Sequence, residues 1–142
     1  MAVENTASEI YDCFAARFPE QQDFWKGMAA EEQGHARQFV VASSLKGSAA
    51  LPSSMKLAQS ALEAIRKIKR EVLENTRMRM EDAFKIAITI EQTAVESFLE
   101  SMLSEETDNE LKKFYGSLLI DGKRHAELLK KRLAGTLKGG NQ

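Results

Sequence analysis

Cysteine is nearly missing from this chain of 142 residues, where Cys13 stands alone. A lone cysteine forms no internal disulfide, so a reducing, cytoplasmic location is expected. With no C-x-x-C, a zinc-ribbon module is not expected either. Cys13 itself reads as a small helical core residue rather than a reactive thiol. Proline is almost as rare, at positions 19 and 52 only, and so few breakers permit helix through most of the length. The chain also lacks an excess of charge of either sign, since 20 basic and 21 acidic residues leave a net charge of −1. That balance gives no global electrostatic case for nucleic acid or an anionic membrane. No stretch is long and apolar enough to span a bilayer, and the N-terminus has no signal-peptide pattern. What is present is 43% hydrophobic and 29% charged residues, which suits a soluble amphipathic helical protein. The length makes one domain, residues 1–142, able to bury roughly 70% of its unfolded surface.

Histidine is scarce too, but its two positions are informative. Glu4-Asn5-Thr6-Ala7-Ser8-Glu9-Ile10-Tyr11 and Glu91-Gln92-Thr93-Ala94-Val95-Glu96-Ser97-Phe98 share the pattern E-x-T-A-x-E-x-aromatic. Downstream of the first lie Phe24-Trp25 and then Glu31-Glu32-Gln33-Gly34-His35-Ala36. Downstream of the second lie Phe114-Tyr115 and then Asp121-Gly122-Lys123-Arg124-His125-Ala126. The only two histidines therefore fall at equivalent places in a repeat. Helix packing alone can repeat alanine and aromatic positions, but it has no reason to repeat Glu and His at matched offsets.

Apolar spacing predicts five helices. The first runs from about Val3 to Arg17, with Ile10, Phe14 and Phe18 at spacing four and Ala7 and Tyr11 on the same side. Pro19 opens the second, where its missing N–H costs nothing. That helix reaches about Ser44, with Phe24, Met28, Glu32 or Glu31, His35 and Phe39 on one side. Residues 46–53 form a loop through Gly47-Ser48 and Pro52. Ser53 or Ser54 caps a third helix, which runs to about Asn75 with Leu57, Ala61, Ile65, Ile68 and Val72 inward. Its basic run Arg66-Lys67-Ile68-Lys69-Arg70 is a solvated face, because Glu63, Glu71 and Glu74 interleave with it. A fourth helix spans about Arg77 to Leu103, with Ala83, Ala87, Ile90, Ala94, Phe98 and Met102 inward. Thr107-Asp108-Asn109-Glu110 has capping-box spacing for the fifth. Gly135 is expected to stop that helix near Leu133 from the C′ position, leaving a frayed tail over 135–142. Two helical hairpins, 3–44 and 77–134, are thus joined by a loop and helix over 45–76. A connection of that length crosses the bundle, which is the ferritin-like arrangement of an all-α four-helix bundle with an extra crossover helix.

The repeated acids carry the chemistry. Glu4, Ala7 and Tyr11 fall on one helix face, as do Glu91, Ala94 and Phe98. Both glutamates project along otherwise apolar faces, where an ionised carboxylate needs a partner or a metal. Glu32 and His35, three apart, converge a carboxylate and an imidazole on one point. Those donors suit iron or manganese, with zinc also accommodated. Each element alone has a plainer reading. Acids are favoured in a first helical turn by the helix dipole, which applies to Glu4, and single histidines are often hydrogen-bonded core or surface residues. Tyr11, Trp25 and Tyr115 read as core aromatics with satisfied polar tips, and Glu9 and Glu96 as ion-pair or interface residues.

Taken together, Glu4-x-x-Ala7-x-x-x-Tyr11, Glu32-x-x-His35, Glu91-x-x-Ala94-x-x-x-Phe98 and His125-Ala126 resemble the rubrerythrin and ferritin-like di-iron carboxylate superfamily, over about Glu4 to Leu133. The resemblance implies Glu4 and Glu91 as terminal ligands of two metals, Glu32 as a bridge, and one imidazole per metal from His35 and His125. It also implies iron, one ion or two, and an oxidoreductase that reduces hydrogen peroxide, oxidises ferrous iron or activates oxygen. Without a rubredoxin-type module the electrons would come from an external donor. A homodimer is implied as well, with the apolar faces of the first two helices as candidates for its interface.

The chain departs from that pattern at Gly122, three residues before His125, where a second bridging glutamate is expected. Asp121, four residues before His125, is the candidate replacement and is one methylene shorter. The absence of an additional glutamate at Ala94 also favours a leaner site. A weakened two-metal site, a single-metal site and no site all follow as outcomes. Two functions remain open from the sequence. One is an iron-dependent oxidoreductase using Glu4, Glu32, His35, Glu91, His125 and Asp121. The other is a degenerate bundle without metal that serves as a binding or interaction module.

Overall fold

The computed structural model describes residues 2–46, 52–92, 97–106 and 108–140, with the side chains at 40, 42–46, 52–55, 57, 139 and 140 outside the description. Every element among them is helical: α1 (Ala2–Arg17), a 3-10 turn (Pro19–Gln21), α2 (Gln22–Lys46), α3 (Pro52–Glu74), α4 (Met80–Thr89), α5 (Ser97–Glu105) and α6 (Asn109–Gly140). The chain is an all-α ferritin-like bundle. α1 packs on α2, α4 and α5 pack on α6, and α3 lies against α1 and α5. None of the described helices is long and apolar enough to cross a membrane.

The α1–α2 hairpin forms because the inward face of α1 is continuous. Ala7, Ile10, Tyr11 and Phe14 are wholly buried. At Ser8 the helices come close enough for its Oγ to donate to the Ala29 carbonyl at 3.0 Å. Trp25 is the centre of an aromatic cluster. It stacks on Tyr11 and Phe84 and meets Phe14 and Phe24 edge-on, with centroids 4.9 to 5.8 Å away. Such pairs add about 0.5–1.5 kcal/mol each beyond the burial of area. α3 seats Ile65 and Val72 in the core, and Lys69 pairs with Glu9, the interhelical role expected for that acid.

Pro19 opens a 3-10 turn ahead of α2, and α3 already starts at Pro52, which places Ser53 and Ser54 inside it rather than at its cap. Four further boundaries, all in the second half of the chain, differ from the sequence reading. α4 starts at Met80 rather than near Arg77, because Asn75 and Arg77 close a turn first. Asn75 Oδ1 accepts from the Arg77 N–H at 3.1 Å, and Arg17 Nη1 donates to the Asn75 carbonyl at 2.6 Å. The Arg79 N–H then donates to Asp82 Oδ2 at 3.0 Å, so the capping acid sits three residues into the turn. The fourth helix is also not a single α-helix. α4 ends at Thr89, residues 90–92 form a π-turn, and α5 resumes the helix from Ser97. A third difference is that Asp108 caps α6, its Oδ1 accepting from the Leu111 N–H at 3.0 Å. Thr107, the expected cap, lies outside the described residues, as do Ala94, Glu96 and the Gly47-Ser48 loop, and the side chains of Ser53 and Ser54.

The fourth difference is at the C-terminus, where α6 runs through Gly135 to Gly140 instead of stopping near Leu133. Glycine ends a helix only where the chain takes a left-handed turn. Here Thr136 Oγ1 donates to the Arg132 carbonyl at 3.0 Å across that position, and the helix simply carries the cost of an interior glycine, about 1 kcal/mol relative to alanine.

Candidate metal centre

Four buried ionisable residues lie inside the bundle: Glu4 from α1, Glu32 from α2, Glu91 from the π-turn and His125 from α6. π-turns insert one residue into a helix and are frequent at functional sites. Here the turn carries Ile90 and Glu91, both fully buried.

One ligand atom from each of Glu32, Glu91 and His125 lies within 4.8 Å of the others. His125 Nδ1 is 3.8 Å from Glu32 Oε1 and 3.8 Å from Glu91 Oε1. Those separations are too long for hydrogen bonds. They match the roughly 3–4 Å spacing of atoms that share an ion through bonds of about 2.1 Å. Both oxygens of Glu32, Oε2 of Glu91, Oε2 of Glu4 and Nδ1 of His125 are buried without a hydrogen-bond partner. Buried polar atoms are nearly always satisfied, so the four unpartnered atoms on Glu32, Glu91 and His125 fit the donor set of a cation. Tyr11 orients the set, its hydroxyl donating to Glu91 Oε1 at 2.8 Å.

Electrostatics agree with the geometry. Burial, and then the neighbouring Glu91 charge, push the Glu32 carboxyl well above the usual range. Burial raises Glu4 to about 7 against the opposing pull of its backbone hydrogen bond. Burial, with the Glu91 and Glu32 charges behind it, pushes the Tyr11 hydroxyl up. For His125 burial lowers the affinity for a proton, but the neighbouring Glu91 and Glu31 carboxylates outweigh it, so the net shift is upward. These carboxylates are held where they must bind protons or a cation.

The remaining sequence candidates lie beside this group. Glu32 sits between the two histidines, its Oε2 3.8 Å from His35 Nδ1. The imidazole rings face each other with centroids 6.1 Å apart and 26° between planes. Asp121 is partly exposed. Its Oδ2 lies 3.4 Å from His35 Nε2, and its Oδ1 3.7 Å from Arg124 Nη2. It therefore addresses the far nitrogen of His35 rather than the group of three, and Gly122 beside it is buried. Glu4 is within electrostatic reach of Glu91 and Glu32.

Two further features were not resolved by sequence reasoning. Glu31 contacts His125 Nε2. The adjacent acids Glu31-Glu32 left only the choice of which one faces inward, and in the fold both reach His125. Trp25, expected to have a satisfied polar tip, has its Nε1 buried without a partner. Tyr11, Phe14, Phe24 and Phe84 pack against its ring.

A family model described as Rubrerythrin matches residues 1–133. No curated protein and no solved structure matches the chain. The family match spans nearly the whole sequence, and the chain belongs to the rubrerythrin family.

Proposed function

We propose that this rubrerythrin-family chain holds iron between Glu32, Glu91 and His125 and acts as an oxidoreductase toward hydrogen peroxide or ferrous iron. The observation that carries the reading is the set of four buried, unpartnered ligand atoms on Glu32, Glu91 and His125, which converge from three places in the bundle. Glu32 and Glu91 offer carboxylate oxygens, His125 offers Nδ1, and Glu4 stands beside them. His35 and Asp121 form an outer pair on the other side of Glu32, where a second ion would find both donors. Manganese and zinc suit the same donor set less selectively.

When bound, iron supplies reversible one-electron chemistry and Lewis acidity. The chain's own residues do the rest. The Tyr11 hydroxyl holds the Glu91 carboxylate in place through Oε1 and leaves Oε2 without a partner. Glu4, whose carboxyl burial raises to about 7 in the metal-free chain, stands beside the group as a further carboxylate. The surrounding aromatic and aliphatic core excludes water from these groups. Reduction of one hydrogen peroxide to two waters takes two electrons and two protons, so turnover requires an external reductant. A homodimer in the cytoplasm is part of the same reading, through a surface other than the apolar faces of α1 and α2, which are buried in the bundle.

One observation favours the second reading, a bundle that no longer binds metal. Arg124 already neutralises Asp121, which is the only acid replacing the glutamate expected at Gly122. Peroxide consumption and oxygen-dependent ferrous oxidation, measured for wild type and Glu91→Ala after anaerobic loading with ferrous iron, separate the two. Rates that collapse in the variant support the oxidoreductase. Equal rates, or none in wild type, overturn it.

A further inference from the structure

The side chain of Glu31 is half-exposed and lies outside the ligand set, yet its Oε2 reaches a buried residue of α6. That contact is with Nε2 of His125, whose side chain is only 3% exposed. The two ring nitrogens of His125 thus have opposite environments. Nδ1 faces Glu32 and Glu91, 3.8 Å from each and without a hydrogen-bond partner. Nε2 meets the Glu31 carboxylate, and Arg124 Nη2 places positive charge 3.8 Å from the same oxygen.

An ionised carboxylate only accepts hydrogen bonds, so the contact demands that Nε2 carry the hydrogen. A neutral ring then keeps its lone pair on Nδ1, the nitrogen aimed at the two inner glutamates. The geometry points to Glu31 as a positioning residue that sets the tautomer of His125 and so makes Nδ1 a metal-ligating atom. This deepens the metal-binding reading and rests on it. Without Glu31 the preference reverses. Nδ1–H would donate to Glu32 or Glu91, and the lone pair would move to Nε2, away from the group of three. Carboxylate partners of ligating histidines are worth about 10–100-fold in metal affinity.

A plain ion pair between α2 and α6 would explain the contact but would leave the tautomer unmoved, and this decides the test. Only two histidines occur in the chain, so long-range proton–nitrogen correlation of the metal-free protein shows two rings, and His125→Gln assigns them. With the ring neutral, wild type should carry its hydrogen on Nε2. Glu31→Ala should shift it to Nδ1, and Glu31→Gln, whose amide oxygen still accepts, should restore the wild-type form. In a parallel titration with cobalt(II) alone, Glu31→Ala should bind about 10–100-fold more weakly than wild type, with Glu31→Gln close to wild type. Hydrogen on Nδ1 in wild type, or a Glu31→Ala protein with unchanged tautomer and affinity, overturns the inference. Failure of wild type to take up cobalt defeats the metal reading instead, while the tautomer comparison still decides what Glu31 does.

Discussion

Tyr11 on α1 donates a 2.8 Å hydrogen bond to Oε1 of Glu91, 80 residues away in sequence, in the π-turn between α4 and α5. The bond joins the two halves of the sequence repeat, linking the aromatic of the first copy to the leading glutamate of the second. Tyr11→Phe keeps the ring stacked on Trp25 and removes only the donor. The variant should lose about 1.5–3 kcal/mol, the range for a bond to a charged acceptor. Urea unfolding of the metal-free proteins measures it, and an unchanged midpoint would show that the bond contributes nothing.

Glu32 should behave oppositely with and without metal. In the metal-free protein its carboxyl is buried with both oxygens unpartnered, so Glu32→Ala should be neutral or stabilising despite the lost packing. Ferrous iron at about 100 times its dissociation constant stabilises a binding protein by about 2.7 kcal/mol. Melting should therefore rise with iron for wild type and stay fixed for the variant. A variant that gains as much as wild type would remove Glu32 from the site.

Stability should fall with rising pH when no metal is bound. Between its ordinary value of 4.5 and about 7, Glu4 keeps a proton in the fold that the unfolded chain has released. For this one group the loss across that window is on the order of 3 kcal/mol, complete once pH exceeds the folded value. Glu32 and His125, both raised, act in the same direction. Glu4→Gln should flatten its share of the slope. Metal competes with these protons, so iron affinity should increase over the same range. Denaturation at pH 5 and pH 8 with and without iron tests both signs.

Gly135→Ala should stabilise the chain by about 1 kcal/mol, because a Cβ there meets nothing within 4 Å and the backbone is already helical. A glycine in a left-handed cap would give the reverse. Thermal melting of the variant distinguishes the two, and a lowered melting temperature would return the helix end to Leu133.

The bundle was legible because its signals are local and repeated. Ile10 and Phe14, or Ala83 and Ala87, recur at helical spacing, and only helices bury such a pattern. The recurrence of Glu4 with Glu91 and of His35 with His125 marked the polar interior for the same reason. What stayed hidden depends on contacts between distant segments. A π-turn at residues 90–92 is a one-residue change of phase that the pattern around Glu91 tolerates without showing. Tyr11 was visible as a face residue, but its partner was not. Glu31 could not be separated from Glu32 by spacing, since neighbouring helix positions differ by about 100° and either can face α6. Gly135 misled because its stop signal needs a left-handed turn that α6 does not take. The pairing of Asp121 with Arg124 and His35 is set by the register of α6 against α2, which spacing within one helix does not give.

The central claim is that Glu32, Glu91 and His125 hold metal, and elemental analysis of the chain purified without chelator tests it most directly. The account predicts at least one iron atom per chain, or its uptake from added ferrous iron, and loss of that iron in Glu91→Ala. A second equivalent would bring His35 and Asp121 into the ligand set. No metal after purification, together with no uptake from ferrous iron, would contradict the account and leave the bundle a scaffold with protonated inner carboxyls.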